Sequence, residues 1–400
     1  MLYLKYFGAI FFDSNNDNDM CQIVYSVVLF ITGIIMAIMS PYVVLEFDDW
    51  SEAFSMSMSL IVCTIVNISS CISRMIVKYN VKFKYQKYKT TLEGFEIYIP
   101  TNTVALKHIK YFSFVVISWC MSVIIPINGL KMYYIFNNHV HPILMTTYFF
   151  FYYMHNLSMV CTELHFAIQC FVVYTKFRDI HDKLIQINDE QNYYNYNVRY
   201  PFTVNRMTPK RNDATSPCDI IYEKDFYCSK DKVSPLANTI ELLRIKYWLT
   251  QEAVNDLNGL FGFQMGLSII CLTTLILFDI YTEVFYSRAY SAYYIPVFRS
   301  KFLFVGWMLQ YSSRICIIIF TAHTATKQVV KIKKLIAEMN NRYLDCSTKE
   351  ELRLFYYQLS ICPSEFTIFN TFTINNGIIT SAIAAGSTYI LILVQIHSKK

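Results

Sequence analysis

Glu163 and Arg314 carry opposite charges, and each falls near the middle of a long apolar segment. On insertion scales an ionised side chain at such a position costs about 2.5–3.5 kcal/mol, so it must face a partner or water. The two are expected to look into one interior cavity, either bonded to each other and fixing helix register or touching a ligand. The same segments hold further polar groups: His155, Asn156, Thr162, His165 and Gln169 beside Glu163, and Gln310 and His323 beside Arg314. Just before His155 runs an unbroken aromatic stretch from Tyr148 to Tyr153. Consecutive aromatics surround a helix, so part of the run points inward and part toward lipid or the interfacial belt. With Trp119, Trp307 and Tyr311, these rings are placed to line an apolar pocket that has a few polar anchors. The candidate ligand-binding residues are thus Trp119, Tyr148, Phe151, Tyr152 and His155, with Glu163, Trp307, Tyr311 and Arg314. The chemistry of such a set is recognition.

Catalytic chemistry has no visible carrier. The chain has no Gly-rich phosphate loop, no HExxH and no GxSxG, and no paired His or Asp cluster at one depth. It reads as neither an enzyme nor a cofactor carrier. His139 and His141 are too few ligands to hold a metal. The 12 cysteines form no CxxC pair, and they read as apolar packers or reduced thiols.

The elements that must position these residues follow from composition. The 400 residues are 54% hydrophobic and only 16% charged, where soluble proteins carry about 25% charge. The apolar residues come in blocks, which predicts an all-α polytopic membrane protein. Seven spans are expected, at about 24–45, 54–77, 111–128, 143–174, 257–281, 302–326 and 366–396. The first twenty residues include Asp13, Asp17 and Asp19 in place of a basic n-region, so the first block reads as a membrane helix and not a cleaved signal. Polar loops are expected at 78–110 and 176–250, the second holding an Asn- and Tyr-rich tract from Asn188 and a Pro-, Lys- and Asp-rich middle, partly disordered, with helical pattern resuming around Pro235. A basic amphipathic stretch follows the sixth span. The division is then 1–326 for a six-helix ligand-binding bundle, 327–365 for a cytosolic anchor helix region and 366–400 for the seventh helix.

An odd number of spans puts the termini on opposite sides. With the N-terminus inside, the inner segments hold 27 Lys and Arg against five in the outer segments. That bias places the N-terminus in the cytosol and Lys400 outside. The net charge of +6 follows from this distribution and implies no nucleic-acid partner. The orientation, the lack of an Asp-Arg-Tyr after the third span and the lack of any Asn-Pro dipeptide argue against a G-protein-coupled receptor.

The last span has no charged residue and carries small residues at four-residue spacing, Gly377, Ser381 and Ala385, on a face that suits close helix packing in lipid. Its end reads Thr388-Tyr389, five aliphatic residues, then Gln395 and Ile396. This resembles the C-terminal signature of insect gustatory receptors, Thr-Tyr, five hydrophobic residues and Gln, usually with Phe where Ile396 stands here. The segment from Leu257 is also similar to the fifth helix of that family. The resemblance implies a ligand-gated, non-selective cation channel built as a homotetramer, or as a hetero-oligomer with related receptors. It implies a small-molecule tastant and the plasma membrane of a sensory neuron. By the same resemblance Gln395 and Ile396 form the outer pore constriction, and Thr388, Tyr389 and Ile392 line the helix below. The aromatic, acid-poor interior favours a bitter or other plant secondary compound over a sugar, whose hydroxyls would want several carboxylates and amides. An olfactory receptor subunit and an orphan transporter are the alternatives, though a transporter should show inverted repeats, and none is found.

Overall fold

The computed structural model describes residues 19–47, 103–138, 141–199, 235–290, 297–341 and 344–397, with a few positions between 64 and 94. The expected second span falls almost wholly outside the described residues, as do His139 and the stretch 200–234. Seven helices are described: α1 (Asp19–Phe47), α2 (Thr103–Asn138), α3 (Pro142–Arg199), α4 (Pro235–Tyr290), α5 (Val297–Asn340), α6 (Cys346–Ile361) and α7 (Asn376–His397). Among the described residues, four segments are long and apolar enough to cross a membrane: Val104–Asn137, Pro142–Glu190, Pro235–Tyr281 and Lys301–Asn340. The 22 residues of α7 rise about 33 Å, enough for a hydrocarbon core of about 30 Å.

α3 is the hub. It packs against α1, α2, α4 and α5, and 72% of its apolar window is buried, against 28% for α2. The outer helices turn large apolar side chains outward, such as Ile31, Ile34 and Ile38 on α1 and Phe114, Ile125 and Tyr133 on α2. Soluble monomers rarely carry apolar surface of this extent, whereas lipid accepts it.

At 58 residues α3 is about 87 Å long and overshoots any bilayer. The polar loop anticipated at 176–250 is largely helix: α3 runs on to Arg199 and α4 begins at Pro235. The reason is visible in the spacing of Phe177, Ile180, Leu184 and Ile187, and of Ile240, Leu243 and Tyr247, each a buried stripe of 3.6-residue period. The Asn- and Tyr-rich tract from Asn188 belongs to α3 as well. Likewise α5 does not stop near 326 but continues through buried Ile332, Ile336 and Met339. These extensions and α6 share one apolar core around Phe177, Tyr247 and Phe355. Asp345 caps α6: its side chain accepts from Thr348 N at 3.0 Å, a cap whose loss costs about 1 kcal/mol.

The seventh span departs most from expectation. Its first ten residues are not helix. Thr367–Ile368 (β1) and Phe372–Thr373 (β2) pair antiparallel, with Thr367 opposite Thr373 and Ile368 opposite Phe372. The connecting Phe369 and Asn370 have φ of 53° and 56°, and Thr371 N donates to Ile368 O at 3.1 Å. Two left-handed residues make the turn whose twist suits a tight hairpin. A bulky residue at positive φ costs on the order of 1–3 kcal/mol and needs support from its surroundings. α4 supplies that support. Asn258 Nδ2 donates to Glu365 O at 2.8 Å while its Oδ1 accepts from Thr367 N at 3.0 Å. A Cβ at Gly262 would lie 2.7 Å from Thr367 O, and one at Gly266 would collide with the Phe369 ring. Further down the same face of α4, Gln251 Nε2 donates to Cys362 O at 3.0 Å and the Tyr247 hydroxyl meets Ser364 Oγ at 2.9 Å. So the described residues, otherwise helical, contain one small hairpin, clasped along a single helical stripe.

Candidate functional site

Arg314 on α5 and Glu163 on α3 meet as the sequence suggests. Arg314 Nε donates to Glu163 Oε2 and Nη2 to Oε1, both at 2.7 Å, while Nη1 donates to Asn156 Oδ1 at 2.9 Å. Asn156 sits two turns before Glu163 on the same face of α3, which is why one guanidinium reaches both. The fork geometry matches a carboxylate in a way a lysine would not. The exposures are 2% for Glu163 and 3% for Arg314, so the pair is a sealed lock between α3 and α5.

The other candidate residues divide among distinct places. Tyr152, Trp307 and Tyr311 gather around Met159, Cys271, Leu272 and Leu275, which makes a mixed aromatic and aliphatic cluster between α3, α4 and α5. Tyr148 and Phe151 pack instead toward Met36 and Val43 of α1 and Ile135 of α2, with Tyr152 touching both groups. His155 is buried and lies 3.4 Å from Thr32 Oγ1 on α1. Trp119 is not brought into either group: it is 47% exposed on the outer face of α2, and its neighbour Cys120 takes the buried position. The expectation of one pocket holding all the rings is corrected in this respect.

Sequence reasoning passed over two residues that the structure adds, Lys131 and Asp279. Lys131, just past the third span expected at 111–128, lies within α2, and its ammonium sits 5.3 Å from the centroid of the Trp307 ring. Asp279 of α4 is half-buried and lies within electrostatic reach of Lys131, Tyr153 and Tyr311. Tyr153 stacks edge-on with Tyr152 at 5.6 Å. The signal for Asp279 was present, since a carboxylate inside an apolar helix is a functional candidate by that fact alone. Beyond these, Gln264, Ser268 and Gln310 are at most 1% exposed, and the Gln264 amide, the Ser268 hydroxyl and Gln310 Oε1 have no hydrogen-bond partner among the described residues. Among the described residues no group of three or more His, Cys, Asp or Glu could hold a metal, and every described cysteine is free.

On α7, Thr388, Tyr389, Ile392 and Gln395 are all exposed. Ile396 is the penultimate helical residue, and its side chain lies outside the described ones. The small-residue face is also turned outward. Gly377, Ser381 and Ala385 are exposed, and contact with the bundle runs through Ile378, Ile379 and Gly386, whose missing Cβ would come within 2.9 Å of Leu277 Cδ2.

A membrane-embedded helical bundle with an aromatic inner cluster defines the class as a multi-pass membrane protein. Residues 21–400 match the family described as 7tm Chemosensory receptor, and the chain belongs to that family. The resemblance carried by Thr388, Tyr389 and Gln395 is thereby borne out at family level. The fold is similar to that of the insect olfactory receptor OR5 from Machilis hrabei, at a TM-score of 0.60 and 11% identity, covering 99% of this chain and 96% of that one. The same receptor in complex with eugenol matches equally well, with a TM-score of 0.60 and 11% identity over 99% and 96% of the two chains. Among curated proteins no match is found.

Proposed function

We propose that this chain is the subunit of a ligand-gated, non-selective cation channel that detects small-molecule tastants. The observation that carries this reading is α7. It is 22 residues long, has no Asp, Glu, Lys or Arg, and among its described side chains meets its own bundle along a narrow line through Ile378, Ile379 and Gly386. A helix so exposed needs other surfaces, and four copies around an axis would cover the Gly377, Ser381 and Ala385 face while presenting Tyr389, Ile392 and Gln395 to a central pore. Ile396 would complete the constriction. The tetramer is a homotetramer on this reading, with hetero-oligomers of related receptors as a variant. The charge bias sets the N-terminus in the cytosol and the Gln395 end outside, and the core around Phe177, Tyr247 and Phe355 becomes the cytosolic anchor.

The ligand would enter the cluster of Tyr152, Trp307 and Tyr311, with Gln310 as a buried polar group beside it. Rings and a few polar atoms suit a plant secondary compound better than a sugar. The cell would be a sensory neuron, and the protein would sit in its plasma membrane among lipids that cover the α1 and α2 faces. The likeness to an olfactory receptor, one of whose structures holds eugenol, supports a volatile ligand as the second reading. Whole-cell recording from cells expressing this chain alone tests the channel. Currents evoked by members of a panel of alkaloids, glycosides and phenolics are expected, and Gln395→Ala should change their amplitude or ion selectivity. Solute uptake with no current in any patch would instead indicate a transporter.

A further inference from the structure

The Glu163–Arg314 pair is internally neutralised, so it contributes little net field to the bundle. The charged groups of the aromatic cluster differ. Asp279 and Lys131 come from different helices, α4 and α2, and lie within electrostatic reach of each other, with Trp307 under the Lys131 ammonium and Tyr311 and Tyr153 within reach of Asp279. Each of these rings sits at a similar distance from the same end of the bundle: Tyr153 is 11 residues into α3, Trp307 ten residues into α5, and Asp279 11 residues before the end of α4. The Lys131 ammonium is already held over the Trp307 face at 5.3 Å, a separation at which a cation gains from the ring quadrupole. Lysine hangs that charge on a flexible four-carbon stem, and Lys131 is two turns from the end of α2, so the ammonium can withdraw toward the aqueous end of the helix.

We propose that this cluster is a site for an organic cation, a protonated amine carrying an aromatic or alicyclic body. Its ammonium takes the place of Lys131 on the Trp307 face with Asp279 as the counter-charge, and its body lies against Tyr152, Tyr311 and Leu275. Lys131 is then a tethered occupant that the ligand displaces. A neutral isostere offers no charge to replace it and competes poorly. The inference rests on the chemoreceptor reading above, because it names the class of ligand for that same cluster.

Matched pairs of amine and alcohol test it, with 2-phenylethylamine against 2-phenylethanol and tryptamine against tryptophol as probes. Two readouts are run on the full-length receptor: thermal stabilisation of the purified protein in detergent, and evoked current in expressing cells. The amine of at least one pair should stabilise the protein at roughly tenfold lower concentration than its alcohol, the factor one good desolvated cation contact supplies. Asp279→Asn should abolish that preference, bringing the amine of each pair to within about twofold of its alcohol. Lys131→Gln should move amine potency the other way, about threefold tighter, and this gain keeps the test informative even if Asp279→Asn fails to reach the membrane. Equal action of amine and alcohol in both pairs, or a preference untouched by either variant, overturns the proposal. Amine-specific stabilisation without any current keeps the site and sinks the channel reading; currents from alcohols alone do the reverse.

Discussion

Removing one member of the Glu163–Arg314 pair leaves its partner charged in a sealed interior. Glu163→Gln or Arg314→Met should each cost about 3–5 kcal/mol, while the double variant should recover much of that loss. Thermal melts of the solubilised receptor check this, and simple additivity of the two losses would contradict a direct pair. A second residue-scale expectation concerns Lys246 on α4. It is 1% exposed, and its Nζ has no hydrogen-bond partner among the described residues. Lys246→Met keeps the stem and removes the buried ammonium, so the melting point should rise, by about 1 kcal/mol of stability. A fall would show that the ammonium has a partner of its own. At this scale the sequence was readable where a charge interrupts an apolar block: Glu163 and Arg314 stand out in that way. Trp119 misled because α2 is a peripheral helix, and nothing local to its sequence tells a lipid-facing ring from a pocket-facing one.

Among the elements, α4 does two jobs along its length. Near Leu275 and Asp279 it walls the aromatic cluster, and from Tyr247 to Gly266 it grips the hairpin that leads into α7. A push on the upper part therefore reaches the last helix through one rigid rod. Gly266→Ala forces the Phe369 ring out of its seat and should cost about 1–3 kcal/mol while altering the maximal evoked current at matched surface expression. Gly129→Ala, where nothing lies within 4 Å of the added Cβ, serves as the neutral control. If both variants behave as wild type in surface-normalised recordings, the grip plays no part in gating. The long helices were legible from their periodic apolar stripes, although the polar residues between the stripes of 176–250 disguised them as a loop. The hairpin was not legible. Thr367, Ile368, Phe372 and Thr373 are good strand formers, but in an uncharged run they look like the start of a membrane helix, and only contact with α4 decides between the two.

For the whole molecule, the distribution of exposure is the informative quantity. One side is a tight core of α3, α4, α5 and α6, and the other is a last helix most of whose described side chains are exposed. A pore on α7 predicts that Ile392→Cys becomes reactive to a small methanethiosulfonate reagent only while ligand is present, with current falling as modification proceeds. Modification at one rate with and without ligand would place Ile392 away from a gated pore. The α3–α5 lock also bears on how such a chain is made. Glu163 and Arg314 are 151 positions apart, so at about 5–20 residues per second the ribosome adds Glu163 roughly 8–30 s before its counter-ion exists. During that interval a carboxylate costing about 2.5–3.5 kcal/mol must wait at or beside the translocon. Synthesis of this receptor is thus timed: pauses between the two helices lengthen the vulnerable period, and the yield of inserted protein should respond to codon choice in that interval more than anywhere else in the message.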